Sequence, residues 1–145
     1  MGVDSVETGR ISAYKVEVCS TDQLKPSQRK LIEINGVEIA VMNVEGKLYA
    51  YRNACPHQGA PMVYGTVTGT MLPCKRGEYT YGHDQEIIRC PLHSWEFHLT
   101  TGKSLFDPCK VSIKKYEVTV EDDTVVIYFH KRPEKVSEKE VRYFV

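Results

Sequence analysis

The sequence predicts an all-β fold, a small antiparallel sandwich or barrel with a loop-rich subdomain inserted into it. Asn35-Gly36 separates two short runs of alternating apolar residues. This dipeptide favours a type I′ hairpin turn because both residues tolerate a positive φ. Glu45-Gly46 and Asp122-Asp123 separate two further pairs of such runs. Helix signals are weak: Ser20-Thr21-Asp22 predicts a cap for a short turn, and no apolar stripe of period 3.6 follows it.

The 145 residues suffice for one domain, and we expect the chain to divide into three segments. Residues 1–10 are expected to form a mobile N-terminus, residues 11–130 the domain, and residues 131–145 a charged tail. Ser137 and Glu140 fit a helical capping box. So few residues follow them that an extended tail is an equal alternative.

The composition argues against several classes of function. Lys plus Arg and Asp plus Glu both number 19, so the formal net charge is zero. This balance argues against a nucleic-acid binder and gives no reason to expect a membrane as partner. The absence of a secretory signal and of a long apolar run leads us to expect a cytoplasmic protein. An odd number of cysteines, five, argues against a disulfide framework.

Chemistry-bearing residues gather between about residues 52 and 108, where strand periodicity fades. Two short motifs lie there, Cys55-Pro56-His57-Gln58-Gly59 and Cys90-Pro91-Leu92-His93. Each motif places one thiol and one imidazole within three residues of each other. One such pair is unremarkable, whereas two pairs in turn-rich loops of one short chain predict a metal site with four ligands.

Two metal centres suit two thiolates and two imidazoles. Zinc takes this set in tetrahedral structural sites, but zinc fingers place the two cysteines together and the two histidines together. A [2Fe–2S] cluster can instead be held by two cysteines on one iron and two histidines on the other. Since each loop carries one of each residue type, the spacing favours the cluster. A zinc-binding interaction module stays as an alternative.

The two motifs resemble the ligand boxes of the Rieske iron–sulfur family. The second box continues through Ser94-Trp95-Glu96-Phe97. The stretch Leu99-Thr100-Thr101-Gly102-Lys103 is similar to one typical of Rieske ferredoxins, and Phe106-Asp107-Pro108 resembles the family's proline loop over the cluster. The resemblance covers about residues 12–130. It implies one [2Fe–2S] cluster per chain, with Cys55 and Cys90 on one iron and His57 and His93 on the other. It also places several residues around the cluster: Gln58, Gly59, Leu92, Trp95 and Pro108.

The chain departs from the high-potential branch of that family at three positions. Ala60 and Leu92 stand where those proteins carry a pair of disulfide-forming cysteines, and Trp95 stands where they carry a serine facing the cluster. We expect Trp95 and Phe97 to be core aromatics beneath the cluster loop. The stretch from Gln58 to Arg89 is longer than in small Rieske ferredoxins, and we expect the insertion within it, residues 64–86, to be a surface hairpin.

The resemblance implies a one-electron carrier. Residues 131–145 leave no room for the mononuclear iron domain of an oxygenase α subunit, so we expect an electron-transfer component and not a catalyst on its own. Expected partners are a flavoprotein reductase and a terminal oxygenase or reductase. The alternative within the family is the small subunit of a nitrite-reductase-like complex.

Overall fold

The computed structural model describes residues 3–6, 13–56, 59–75, 78–91, 95–105, 111–139 and 141. Within these ranges the regular secondary structure is nearly all strand, with two short 3₁₀ turns at Thr21–Gln23 and Met62–Tyr64. Among the described residues there is no helix of the length and apolarity needed to cross a membrane. The strands are β1 Val3–Val6, β2 Ala13–Ser20, β3 Arg29–Ile34, β4 Val37–Val44, β5 Lys47–Arg52, β6 Thr66–Lys75, β7 Glu78–Arg89, β8 Glu96–His98, β9 Lys115–Glu121, β10 Thr124–Phe129 and β11 Val136–Lys139.

Eight strands form one antiparallel sheet in the order β1-β2-β10-β9-β5-β4-β3-β11. Strands β2 and β3 lie near opposite edges of this sheet, yet Val16 and Ile32 belong to the same buried cluster. The sheet is therefore curled around that cluster. The predicted all-β class is confirmed, and the curled sheet is the barrel-like form of it.

The three predicted hairpins are confirmed. Asn35-Gly36 joins β3 to β4 with φ angles of 51° and 83°, and Glu45-Gly46 joins β4 to β5 with 51° and 92°. Asp122-Asp123 joins β9 to β10 with 51° and 58°. Positive φ at both central residues is the conformation of a type I′ turn, which matches the twist of the strands that it joins. The predicted short turn after Ser20 is confirmed as well, because Ser20 N–H donates to Gln23 Oε1 at 3.1 Å.

Two segments expected to lie outside the domain contribute edge strands. Val3–Val6 pairs with β2, within the segment expected to be mobile. Val136–Lys139 pairs with β3, so the extended alternative for the tail is the one observed. Edge strands of a sheet offer unpaired backbone groups, and ion pairs add to this second pairing: Lys30 Nζ lies 2.7 Å from Glu138 Oε1 and Lys139 Nζ lies 3.7 Å from Glu33 Oε2.

A second sheet of three strands, in the order β6-β7-β8, packs on the outer face of the curled sheet. Strand β4 is buried on both faces: Ile39 and Val41 face the inner cluster, whereas Ala40 and Met42 face the outer one. The outer cluster contains Ile88, Phe97 and Leu99 of the small sheet together with Cys55 and Cys90. The predicted metal-binding region therefore rests on a buried apolar interface. The predicted hairpin at 64–86 is observed as β6 and β7.

Candidate metal centre

Two loops of matching construction carry the two predicted cysteines. In the first, Cys55 N–H donates to Ala60 carbonyl oxygen at 2.8 Å; in the second, Cys90 N–H donates to Trp95 carbonyl oxygen at 2.8 Å. Each bond joins a cysteine to the residue five positions later. In the first loop Gly59 N–H also donates to Cys55 carbonyl oxygen at 2.7 Å, and Gly59 takes φ +72°, which a side chain with a Cβ disfavours. Each cysteine therefore lies at the base of a closed loop.

Both thiols are withdrawn from solvent, with Cys55 and Cys90 each 2% exposed. They belong to one buried cluster, and no disulfide bond joins Cys19, Cys55 and Cys90, the three cysteines whose side chains the structure describes. Thiolates in an apolar, water-excluded setting are the donors that soft metal centres such as iron–sulfur clusters take. The described half of the donor set therefore fits a cluster.

The first loop is tied to the curled sheet through polar contacts that are buried or partly buried. Asn53, which is 7% exposed, accepts a hydrogen bond from Val63 N–H at 2.7 Å and donates to Glu38 Oε1 at 3.2 Å. Arg29 Nη1 of β3 donates to the carbonyl oxygens of Val63 at 2.7 Å and of Gly65 at 2.6 Å. These contacts fix the segment that leaves the loop against β3 and β4.

The second loop is set between two paired strands. Arg89 and Glu96 are cross-strand partners on β7 and β8, and their side chains form an ion pair at 3.2 Å. Being partly exposed, this pair contributes at most about 1 kcal/mol. Leu105 N–H donates to Glu96 carbonyl oxygen at 3.0 Å, and Ser104 N–H donates to Val111 carbonyl oxygen at 2.9 Å. The residues before the segment that contains Pro108 are thus bonded to β8 through Leu105, and through Ser104 to Val111, the residue after that segment.

Aromatic side chains form part of the buried cluster that contains Cys55 and Cys90. Phe97 is fully buried, so its predicted role as a core aromatic is confirmed, whereas Trp95 is only partly buried against the same cluster. Tyr51 is fully buried, and among the described residues its hydroxyl has no hydrogen-bond partner. Burial, and after it the neighbouring Tyr49, raises the pKa of Tyr51, so its hydroxyl stays protonated at any ordinary pH. The sequence offered no signal for this buried hydroxyl or for the polar contacts of Asn53.

Several predicted site residues lie outside the described residues. The described set contains Cys55, Gly59, Cys90 and Trp95, but not His57 or His93, nor the predicted neighbours Gln58, Leu92 and Pro108. Within the described part of the chain no group of three or more His, Cys, Asp or Glu side chains is arranged to hold a metal ion. The structure thus places the two cysteines in one buried cluster, and the assignment of all four ligands stays a prediction.

Comparison with known proteins agrees with this geometry. The family model for the Rieske [2Fe–2S] domain matches residues 14–117. The ferredoxin component of the naphthalene 1,2-dioxygenase/salicylate 5-hydroxylase systems of a Ralstonia species is 35% identical over 96 residues, which are 66% of this chain and 77% of that protein. A solved structure of oxidised ferredoxin with reduced oxygenase in carbazole 1,9a-dioxygenase contains a chain with 26% identity and a TM-score of 0.62. The match covers 83% of our chain and 97% of that chain. A structure described as a nitrite reductase (NADPH) small subunit matches with 25% identity and a TM-score of 0.56, over 78% of this chain and 96% of that one.

The fold and the paired loops define an iron–sulfur electron-transfer domain. The chain belongs to the Rieske [2Fe–2S] domain family. Membership in this family implies one [2Fe–2S] cluster per chain. The buried thiols of Cys55 and Cys90 fit such a cluster. The family therefore favours the cluster over the zinc alternative.

Proposed function

We propose that this protein carries single electrons from an NAD(P)H-linked flavoprotein reductase to a ring-hydroxylating oxygenase. The observation that supports this most is the pair of matching loops, each with a buried cysteine at its base. A [2Fe–2S] cluster of this family supplies one-electron chemistry and offers no open coordination position for a substrate. Similarity to a dioxygenase-system ferredoxin component supports the choice of partners.

We propose Cys55 and Cys90 as the ligands of one iron, and His57 and His93 as the ligands of the other. The apolar cluster around both thiols limits the access of water to the two sulfur ligands. Neutral imidazole ligands raise the reduction potential relative to thiolates and can lose a proton, so they couple the potential to pH.

Substitution tests the ligand assignment directly. We expect Cys55→Ser, Cys90→Ser, His57→Ala and His93→Ala each to abolish the visible absorption of the cluster, because each removes one of four ligands. Cys19→Ser is the matched control, since Cys19 lies on β2 and packs against the inner cluster. Retention of the wild-type spectrum in any of the four ligand variants would overturn that assignment.

Electron transfer tests the proposed partners. The protein, reduced anaerobically by NADH with a catalytic amount of a flavoprotein reductase, is mixed with an oxidised ring-hydroxylating oxygenase, and reoxidation is followed by absorbance. We expect reoxidation within the turnover time of the oxygenase. The second candidate, a nitrite reductase small subunit, is favoured by one of the structural matches. It would instead show reoxidation by the large subunit of a nitrite reductase and none by the oxygenase.

We also propose a cytoplasmic location. Similarity to the ferredoxin component of a dioxygenase system supports this location. A fluorescent fusion followed in cell fractions tests this proposal, which recovery of the fusion outside the cytoplasm would overturn.

A further inference from the structure

We propose that Asn53 is a positioning residue that fixes the first ligand loop, together with Glu38 and Arg29, and so sets the distance between the two proposed iron-binding loops. The proposal rests on the ligand assignment made above for Cys55 and Cys90. It concerns how the loops are held, and not which residues bind iron.

The side chain of Asn53 makes a hydrogen bond that spans the whole first loop. Asn53 lies two residues before Cys55, and its Oδ1 accepts the Val63 N–H across ten residues at 2.7 Å. Inside that closure Cys55 N–H donates to Ala60 carbonyl oxygen at 2.8 Å. The loop is therefore held by nested hydrogen bonds, and the outer one depends on a side chain.

The contacts of Asn53 require a side chain with both an acceptor and a donor. Because Val63 offers an N–H, the amide must turn its oxygen there, which leaves Nδ2 to donate to Glu38 Oε1 at 3.2 Å. The backbone N–H of Asn53 donates to the carbonyl oxygen of the same Glu38 at 2.8 Å. An aspartate would keep the bond to Val63 but would face the Glu38 carboxylate. An alanine would leave the buried Val63 N–H unsatisfied, which is costly.

Arg29 holds the other side of the same turn. Its Nη1 donates to Val63 carbonyl oxygen at 2.7 Å and to Gly65 carbonyl oxygen at 2.6 Å. Val63 is thus held by Asn53 through its N–H and by Arg29 through its carbonyl. A Cβ placed at Gly65 would lie 2.7 Å from the carbonyl oxygen of Arg89, the residue before Cys90. The contacts therefore run from the first loop to the strand that enters the second.

The test compares cluster release in Asn53 variants with release in a matched control. The control is Asn43→Ala. The Asn43 side chain likewise makes two hydrogen bonds, donating to Leu24 carbonyl oxygen at 2.9 Å and accepting from Gly46 N–H at 2.8 Å, but it lies on the β4–β5 hairpin. Iron loss to a chelator is followed by absorbance at equal intervals below each variant's melting temperature. The reduced-state EPR spectrum and the reduction potential are recorded alongside.

We expect Asn53→Ala to release iron about tenfold faster or more, as loss of residues that orient metal ligands commonly does. Its EPR spectrum should broaden, while Asn43→Ala releases iron at the wild-type rate. Asn53→Asp should release iron faster than the wild type, at a rate between those of the wild type and Asn53→Ala or above both. The exchange pair E38Q/N53D should restore slow release of iron. In that pair the amide introduced at position 38 donates to the carboxylate introduced at position 53, whose other oxygen still accepts from Val63.

Two results would overturn the positioning role. One is equal iron release in Asn53→Ala and Asn43→Ala, and the other is failure of E38Q/N53D to improve on Asn53→Asp. If Cys55→Ser retained the cluster, the ligand assignment itself would fail. That outcome is distinguishable, because it is read in a variant that leaves Asn53 unchanged.

Discussion

Gly65 is the position at which a single added methyl group tests the packing between the two ligand loops. Its backbone has φ −67° and ψ 151°, which any residue adopts, so Gly65→Ala introduces no backbone strain. The added Cβ would lie 2.7 Å from Arg89 carbonyl oxygen, 2.9 Å from Ile88 Cγ1 and 3.1 Å from Met62 carbonyl oxygen. Two of these atoms belong to the backbone and cannot rotate away.

The expected destabilisation follows from this overlap. Ordinary contact begins at 3.4 Å, so the added Cβ and the carbonyl oxygen of Arg89 must move apart by about 0.7 Å. Overpacking of a buried site of this kind costs about 1–3 kcal/mol. For a domain of this length that corresponds to a melting temperature lower by about 3–10 °C. Because Arg89 precedes Cys90, we also expect a lower iron content in purified Gly65→Ala.

Gly46→Ala is the control for this substitution. Gly46 has φ +92° and no atom within 4 Å of the added Cβ. It should therefore lose about 1 kcal/mol through the backbone alone and keep a full complement of iron. Thermal melts followed by circular dichroism, with iron analysis of each variant, make the comparison. Melting of Gly65→Ala within about 1 °C of wild type, with full iron content, would refute the argument from close packing.

Three further predictions concern single groups. Tyr51→Phe removes a buried hydroxyl that has no partner among the described residues and should raise the free energy of unfolding by about 1 kcal/mol; a loss of stability in denaturant titration would show that the hydroxyl has a partner. Partial desolvation lowers the pKa of His130, whose side chain is largely exposed, and the charges of Lys114 and Lys131 lower it further. Between the lowered pKa and the ordinary one, the folded state binds fewer protons than the unfolded state. The free energy of unfolding therefore falls as the pH is lowered through this range. NMR titration should show the pKa of His130 rising in Lys114→Gln, and an unchanged value would contradict this assignment. The family resemblance implies that Trp95 stands where high-potential relatives carry a serine donor. We therefore expect voltammetry at neutral pH to give a midpoint toward the low end of roughly −150 to +300 mV that falls in alkali, and a midpoint above about +150 mV would contradict this expectation.

Features set by local chemistry were predictable from the sequence. The hairpin turns at Asn35-Gly36 and Glu45-Gly46 follow from residues that tolerate positive φ, whatever the rest of the chain does. The paired Cys-x-His and Cys-x-x-His motifs pointed to the two loops for the same reason, because ligand spacing within a loop is a local property.

Features that depend on distant partners were not predictable. Strand β11 has little apolar pattern, and it exists because Val136–Lys139 pairs with the edge of β3, about a hundred residues earlier. The polar contacts of Arg29 depend on carbonyl groups 34 and 36 residues later in the chain. No periodicity or motif in the sequence predicts such long-range contacts, because they form only once the curled sheet has brought these residues together.

Quantification of iron, zinc and acid-labile sulfide in protein purified without oxygen tests the central claim most directly. Two matching loops that each supply one cysteine and one histidine predict about two irons and two sulfides per chain, with little zinc. Cys55→Ser prepared in the same way should contain neither iron nor sulfide. One zinc per chain and no sulfide in the wild-type protein would contradict the account.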